Sequence, residues 1–407
     1  MPSTLRTALA LALGAAVSLG LARFSYALLL PPMRADLGWS YLTSGAMNTV
    51  NAAGYLAGAL LTVSWLKRHA ARRVFLWGSG IAGVMLIAHG LVIGDAALYV
   101  LRFITGVASA ATFIAGGLLA ARLASGPVST KKGEPDPRAR SRPGVDSGLV
   151  LGVYYGGTGI GIVASALLVP LLIASDGTHA SHDWQHAWFG LGIAALLATV
   201  VMAAGTPRLD AEAGAAKSGL PFAVRDFAFG LFAYFLFGLG YIGYMTFVIT
   251  LLREMQLSSV LITSFYIALG IAVLVSSWLW ARLLHKSRGG EAMTLLDALL
   301  AIATLLPVLS AHPVAVFASG ILFGAVFLSV VASTTALVRH NLEPAAWSAG
   351  ISAFTIVFAA GQIVGPTLIG WVADGSLGLR GGLACSAGVL ALAAIVAWLQ
   401  KPLRPTR

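Results

Sequence analysis

The chain predicts an all-α polytopic membrane protein, with twelve transmembrane helices in two pseudo-symmetric six-helix bundles. Three observations carry this prediction. Only 10% of residues are charged, against 58% hydrophobic, and the mean hydropathy is +0.87. A soluble domain carries about 25% charged residues, so this chain cannot cover a water-facing surface. The apolar residues fall in runs of about 20, the length that spans a bilayer as a helix. The two halves of the sequence also repeat one another.

Apolar runs between polar breaks place helices at 6–31, 41–66, 73–94, 96–123, 147–173, 185–205, 224–252, 258–284, 291–310, 312–338, 345–372 and 380–399. The first needs a separate argument. MPSTLRTALALALGAAVSLGLA has the basic start, apolar stretch and small residues of a secretory signal. The run continues past the would-be cleavage site as FSYALLLPP and has a counterpart in the second half, so it reads as a retained span. KRHAARR (67–73) separates the second and third helices, and the Pro-rich, charged STKKGEPDPRARSRPG (129–144) separates the fourth and fifth. TPRLDAEAGAAKSGLP (206–221) divides the halves. The expected organisation is an N-terminal bundle over 1–205, a central cytoplasmic loop over 206–222, a C-terminal bundle over 223–400 and a cytoplasmic tail over 401–407.

Charge placement orients the chain. With the N-terminus cytoplasmic, 21 of the 26 Lys and Arg residues face inward, only Arg34, Arg253 and Arg380 face outward, and Arg23 and Arg102 lie inside helices. This is a positive-inside pattern. It accounts for the formal charge of +11 without a nucleic-acid partner. The expected location is the inner membrane of a bacterium, with both termini cytoplasmic.

The repeat is specific in places. GLARFSYALLL (20–30) aligns with GLGYIGYMTFV (238–248), pairing Gly20 with Gly238, Leu21 with Leu239 and Tyr26 with Tyr244. The same offset pairs Gly106 with Gly324, and GTGIG (157–161) pairs with GQIVG (361–365). Two related bundles place a binding site near the midplane between them.

The sequence resembles the major facilitator superfamily of secondary transporters over nearly its whole length. LRFITGVASA (101–110) resembles the superfamily's fourth-helix motif, an Arg followed four residues later by Gly. GQIVGPTLIG (361–370) resembles its Gly-x-x-x-Gly-Pro motif, here in the eleventh helix. The fifth helix, GVYYGGTGIGIVAS, lacks the proline that marks antiporters there, which weakens a drug-efflux assignment. The loop WLKRHAARRV (65–74) keeps the superfamily's terminal Arg pair but lacks its Asp and Gly. GYLAGAL (54–60) and GLGYIGYMTF (238–247) resemble the YbfB/YjiJ-type subgroup. The resemblance implies a central cavity lined by the fourth helix among others, rocker-switch alternating access and a monomeric working unit.

Candidate functional residues follow from the cost of polarity in lipid. Arg23 lies about eight residues from Pro31, roughly 12 Å below the membrane edge at 1.5 Å per residue. A charge at a helix centre costs about 2.5–3.5 kcal/mol on insertion scales, so such groups face a bundle interior or a wet cavity. Arg23 is therefore expected to bind an anionic or strongly polar solute group, or to bond backbone carbonyls of a broken helix. Tyr26 shares its face. Arg102, with Thr105 and Gly106 following, is expected either to anchor solute and relay charge or to link helix ends. Asn48, Asn51 and Tyr55 recur on one face of the second helix, as cavity lining or as interhelical glue. Tyr154, Tyr155, Tyr241, Tyr244 and Gln362 are candidates for the same cavity, with ordinary packing as the alternative for each.

Asp297 is the one carboxylate clearly within a helix. It is a candidate for proton coupling or gating; the alternative is a salt bridge or cap with Arg282 or Lys286. Asp36, Asp95, Glu254 and Asp374 read as solvated or capping groups at helix ends. Glycines of the fifth helix, among them Gly157 and Gly161, together with Gly361, Gly365 and Pro366, permit close packing or bending. His179, His182 and His186 in an outer loop lack a scaffold and read as solvated, so no metal site is expected. Cys385 stands alone, and no disulfide framework follows. No phosphate loop supports ATP-driven pumping, no triad supports catalysis, and no cofactor is expected.

Two buried arginines against one buried carboxylate favour a secondary transporter for a small organic solute carrying an anionic group. Proton-coupled efflux of hydrophobic compounds is the alternative on the same scaffold. A membrane sensor that binds ligand and moves nothing is the alternative of another class.

Overall fold

The structure, a computed structural model, describes residues 3–125, 147–173, 182–206 and 222–403. Twelve helices are long and apolar enough to cross a membrane: α1 (Thr4–Leu37), α2 (Tyr41–Arg68), α3 (Ala71–His89), α4 (Asp95–Ala124), α5 (Gly148–Leu172), α6 (Trp184–Gly205), α7 (Val224–Glu254), α8 (Ser259–Lys286), α9 (Glu291–Leu309), α10 (Pro313–Asn341), α11 (Pro344–Ala373) and α12 (Gly378–Trp398). Most of the 206–222 loop lies outside the described residues.

Two helices depart from the expected bounds. α3 ends at His89, five residues early, where Gly90 turns back to the Ile87 carbonyl and His89 Nδ1 lies 2.7 Å from the Met85 carbonyl. α1 runs six residues past the expected end. Pro31 and Pro32 have no N–H to donate, so the carbonyls four residues back lose their usual partners. The helix continues because Leu28, Leu29, Leu30 and Met33 are buried, and this stretch packs on α7. Gly38, left-handed at φ 65°, ends α1. Ser40 then accepts from the Thr43 amide to start α2.

α1 is also not uniform. Ala16–Phe24 is a π-helix with all nine residues buried, and it includes Arg23. Ser25 N–H closes the wide turn onto the Gly20 carbonyl at 3.0 Å. Such wide turns recur at functional sites.

Helices α1–α6 form one bundle and α7–α12 the other. In the first, α2 packs on α4, α3 on α4 and α6, and α1 on α5; in the second, α8 packs on α10, α9 on α10 and α12, and α7 on α11. The pairs correspond one for one. The bundles meet along α2 and α11, α5 and α8, and α1 and α7. The most apolar stretch of α7 is 94% buried and that of α1 72%, so these two helices form the centre.

The repeated glycines explain the matching seams. A Cβ at Gly161 would stand 2.8 Å from the Cα atoms of Ala16 and Gly20 on α1. One at Gly365 would meet the Leu239 carbonyl oxygen on α7 at 2.5 Å. Gly157 abuts Ala12 backbone, and Gly361 abuts Phe235 and Leu239 backbone. Small residues let membrane helices approach closely. All four therefore face a neighbour inside their own bundle. A Cβ at Gly106 would likewise meet the α2 backbone, 2.8 Å from Tyr55 N. Other positions line the joint between bundles: Gly159 faces Gly270 and Leu274 of α8, and the Pro366 carbonyl faces Gly45 of α2.

Candidate solute site between the bundles

The wide turn of α1 aims Arg23 into the joint, where it is 3% exposed. Its Nη2 donates to Gln362 Oε1 of α11 at 2.8 Å, and Gln362 Nε2 donates to the Tyr241 hydroxyl of α7 at 2.5 Å. The guanidinium carbon lies 5.4 Å from the ring centroid of Tyr55 on α2. Residues from four helices and both bundles thus converge on one charge. Arg23 Nε is buried and has no partner. Nε and Nη2 form one edge of the guanidinium, the edge that grips a carboxylate with two parallel bonds. A neutral amide fills half of that edge.

Arg102 has a different setting. It is 1% exposed. Its Nε, Nη1 and Nη2 donate to the Met47 carbonyl at 3.4 Å, the Ala22 carbonyl at 3.2 Å and Asn48 Oδ1 at 3.3 Å. Its charge lies 4.6 Å from the Tyr26 ring centroid and 6.0 Å from that of Trp188. Asn51 Nδ2 donates to the Arg102 carbonyl at 3.0 Å. Each of the three guanidinium nitrogens has one partner within the first bundle, in keeping with the structural-link alternative. It ties α1, α2 and α4 together.

The other expected cavity residues separate. Tyr26 donates to the Ser44 carbonyl, and Thr105 to the Leu101 carbonyl of its own helix. Tyr154 is buried and donates to the Phe113 carbonyl. Tyr244 shares a hydrogen bond with Ser319, which in turn donates to the Ala303 carbonyl, all inside the second bundle. These hydroxyls are already satisfied. Tyr155 differs from its neighbour. It is 41% exposed, and its hydroxyl makes no hydrogen bond among the described residues.

Asp297 is fully buried in α9, and neither carboxylate oxygen has a hydrogen-bond partner. Among the described residues neither Arg282 nor Lys286 pairs with it. His179 lies outside the described residues, whereas His182 pairs with Asp36 at 2.5 Å.

The acidic helix ends do more than meet solvent. Asp374, at the end of α11, accepts from the amides of Tyr41 and Leu42 at the start of α2, at 2.8 and 2.9 Å. Glu254 of α7 accepts from the Tyr41 hydroxyl. Arg34 stacks on the same Tyr41 ring, 3.8 Å from its centroid. Asp36 and Asp95 accept from the indole N–H groups of Trp184 and Trp39. Deeper in the joint, Thr49 donates to the Ile363 carbonyl at 2.7 Å, Asn48 to Thr246 at 2.7 Å and Tyr266 to the Phe24 carbonyl at 2.7 Å. These inter-bundle hydrogen bonds, with that of Arg23 to Gln362, fall between the Arg23 level and the Asp374 end. That end is closed.

A model of the family described as uncharacterised MFS-type transporter YbfB matches residues 15–398. The chain belongs to this family. No curated protein matches it. Solved structures share the fold of this YbfB-type transporter across nearly its full length. A bacterial homolog of the human lysosomal transporter Spinster, in an inward-facing and unoccupied conformation, has a TM-score of 0.71 at 15% identity, covering 98% of this chain and 97% of that one. The nucleoside transporter NupG has a TM-score of 0.69 at 15% identity, covering 98% and 100%. The human organic anion transporter MFSD10 (TETRAN) has a TM-score of 0.58 at 16% identity, covering 98% and 100%. The YbfB-type chain is thus a multi-pass membrane protein of a transporter family.

Sequence reading missed three parts of the site: Thr246, Phe358, whose ring stacks on that of Tyr241 at 5.7 Å, and the Asp374 clasp. Phe358 precedes Gln362 by four residues on α11, the spacing of a shared helix face, and so had a legible signal. The clasp had none, because its partners lie more than 300 positions apart.

Proposed function

We propose that this protein is a secondary active transporter that carries a small organic solute with an anionic group across the cytoplasmic membrane by rocker-switch alternating access. The half-filled Nε/Nη2 edge of Arg23 carries this reading. A permanently charged fork, buried at the joint and held by a neutral amide that can be displaced, suits a carboxylate better than any group now beside it. Tyr55, Gln362 and Tyr241 complete the site. Arg102, Tyr26 and Asn51 hold the first bundle in shape. The organic anion transporter among the structural neighbours belongs to the same charge class.

The two bundles move as units about the joint. Gly157, Gly161, Gly361 and Gly365 keep each bundle tight, while the joint glycines and the Gly45–Pro366 contact let α2 and α11, and α5 and α8, slide. With the N-terminus inside, the closed Asp374 end faces outward. One chain supplies both bundles and works as a monomer. It needs no cofactor and catalyses no covalent reaction.

Protons are the favoured coupling ion, on the observation that Asp297 is fully buried with two unpartnered oxygens. Such a carboxylate has nothing to stabilise it except a proton or an arriving cation.

The test is flux of small organic anions into proteoliposomes, with Arg23→Gln beside the unaltered protein. Losing a charge-assisted pair is worth about 1.5–3 kcal/mol, so affinity should fall by roughly 10- to 150-fold. Flux of lipophilic cations alone, unchanged in Arg23→Gln, would move the assignment to proton-coupled efflux. Binding without flux would identify a sensor.

A further inference from the structure

We infer that the solute is an aromatic monocarboxylate, a flat ring carrying one acid group, of the benzoate or indole-carboxylate class. The inference rests on the reading of Arg23 as the anion anchor and adds what the rest of the site can recognise.

The walls around the Arg23 fork are rings. Tyr55 faces the guanidinium from the first bundle. From the second, Tyr241 stacks on Phe237 at 4.9 Å, on Phe358 at 5.7 Å and on Phe327 at 5.9 Å, with interplanar angles of 18°, 14° and 11°. Phe358 also stacks on Tyr234 at 4.8 Å and 16°. These planes are nearly parallel. Offset parallel rings are a favourable aromatic arrangement, and the set presents a ready register for one further ring. Phe24 of the first bundle closes the deep side, edge-on to Phe327 at 5.8 Å. Tyr55 and Phe358 keep accessible surface, so the stack has an open margin on each side of the joint.

The polar inventory excludes the main competing solutes. Tyr26, Asn48, Thr105, Tyr154, Tyr244 and Thr246 all spend their polar atoms on protein partners. Among the described residues near the fork, the groups left over are Arg23 Nε, the hydroxyls of Tyr55 and Tyr155, and the proton of Tyr241, whose oxygen only accepts from Gln362. A sugar or a nucleoside needs many directed partners, since unpaired buried polar groups are costly. A dianion would bring a second charge, and the other buried cation, Arg102, is turned to the Met47 and Ala22 carbonyls and Asn48 within the first bundle. One charge, one or two hydroxyl contacts and a flat body remain.

The test is a thermal-shift titration of the full-length protein with benzoate, cyclohexanecarboxylate, benzamide, gluconate and phthalate, repeated with Tyr55→Leu and Tyr55→Phe. A ligand that binds the folded state raises the apparent melting temperature with concentration. Benzoate is expected to half-saturate at a concentration at least tenfold below cyclohexanecarboxylate, with little response to the other three. Tyr55→Leu should shrink that margin, and Tyr55→Phe should keep most of it. Equal response to benzoate and cyclohexanecarboxylate would overturn the aromatic inference and leave the anion reading standing. A preference for gluconate or phthalate would do the same. Response to benzamide but to no carboxylate, or to none of the five, would overturn both. The unaltered protein alone decides each of these outcomes, so a poorly folding variant cannot hide them.

Discussion

Asp374→Ala should open the closed end. Asp374 accepts from the first two amides of α2 at 2.8 and 2.9 Å, from the opposite bundle. A helix start leaves four amides without internal partners. Ser40 satisfies that of Thr43, and its carbonyl accepts from Ser44. The pair held by Asp374 is therefore capped only when the bundles touch. Losing a cap costs about 0.5–2 kcal/mol, and losing a carboxylate from a helix N-terminus about 0.3–1 kcal/mol more at an exposed site. Together, about 0.8–3 kcal/mol, these shift the balance between closed and open by roughly 4- to 160-fold. The assay is pulsed electron–electron spin resonance in a Cys385→Ala background, with labels at Ala35→Cys on α1 and Leu377→Cys before α12, both exposed positions. The Asp374→Ala distance distribution should gain a longer component, and Asp374→Asn, which accepts one bond through its amide oxygen, should fall between. A distribution in Asp374→Ala identical to that of the parent protein would refute the argument, because it would mean that the clasp contributes nothing to closure.

Other expectations follow from the same geometry. Arg102→Gln should lower stability by about 2–4 kcal/mol, since it breaks several charge-assisted bonds inside one bundle; denaturation monitored in detergent checks this, and anion binding should persist in the folded fraction. Gly161→Val should destabilise by about 1–3 kcal/mol or more, because its new side chain meets α1 backbone that cannot turn aside. An equal melting temperature for the valine variant would show that the α1–α5 seam is looser than drawn. Asp297→Leu should be neutral or stabilising in a melting experiment, as it removes two buried unpartnered oxygens. It should also abolish proton movement coupled to solute flux, read with a pH-sensitive dye in proteoliposomes. Coupled proton uptake that survives Asp297→Leu places the proton site elsewhere.

Membrane-spanning helices are legible in a sequence because their cause is local. A run of about 20 apolar residues must leave water, and its backbone must then bond to itself. This is why all twelve spans were readable and why only their ends moved. The extension of α1 through Pro31 and Pro32 was not readable, because packing against α7 overrides what prolines do in isolation. The repeat was legible too: Gly20 with Gly238, and Gly157 and Gly161 with Gly361 and Gly365, became the same pair of helix seams in two bundles.

The fate of each polar residue was a tertiary matter. Arg23 and Arg102 look alike along the chain, each a guanidinium deep in an apolar helix. Asn48 and two carbonyls each take one nitrogen of Arg102, while Gln362, 339 positions away, leaves Arg23 Nε without a partner. Tyr241 and Tyr244 are three residues apart on one helix, yet one faces the joint and the other Ser319 in its own bundle. Gly157 and Gly159 face α1 and α8 respectively, though only one residue separates them. Hydropathy tells a residue that it must be inside. Which neighbour it meets there depends on the rotation of its helix and on the helices the fold brings against it, and those are set by the packing of the whole molecule.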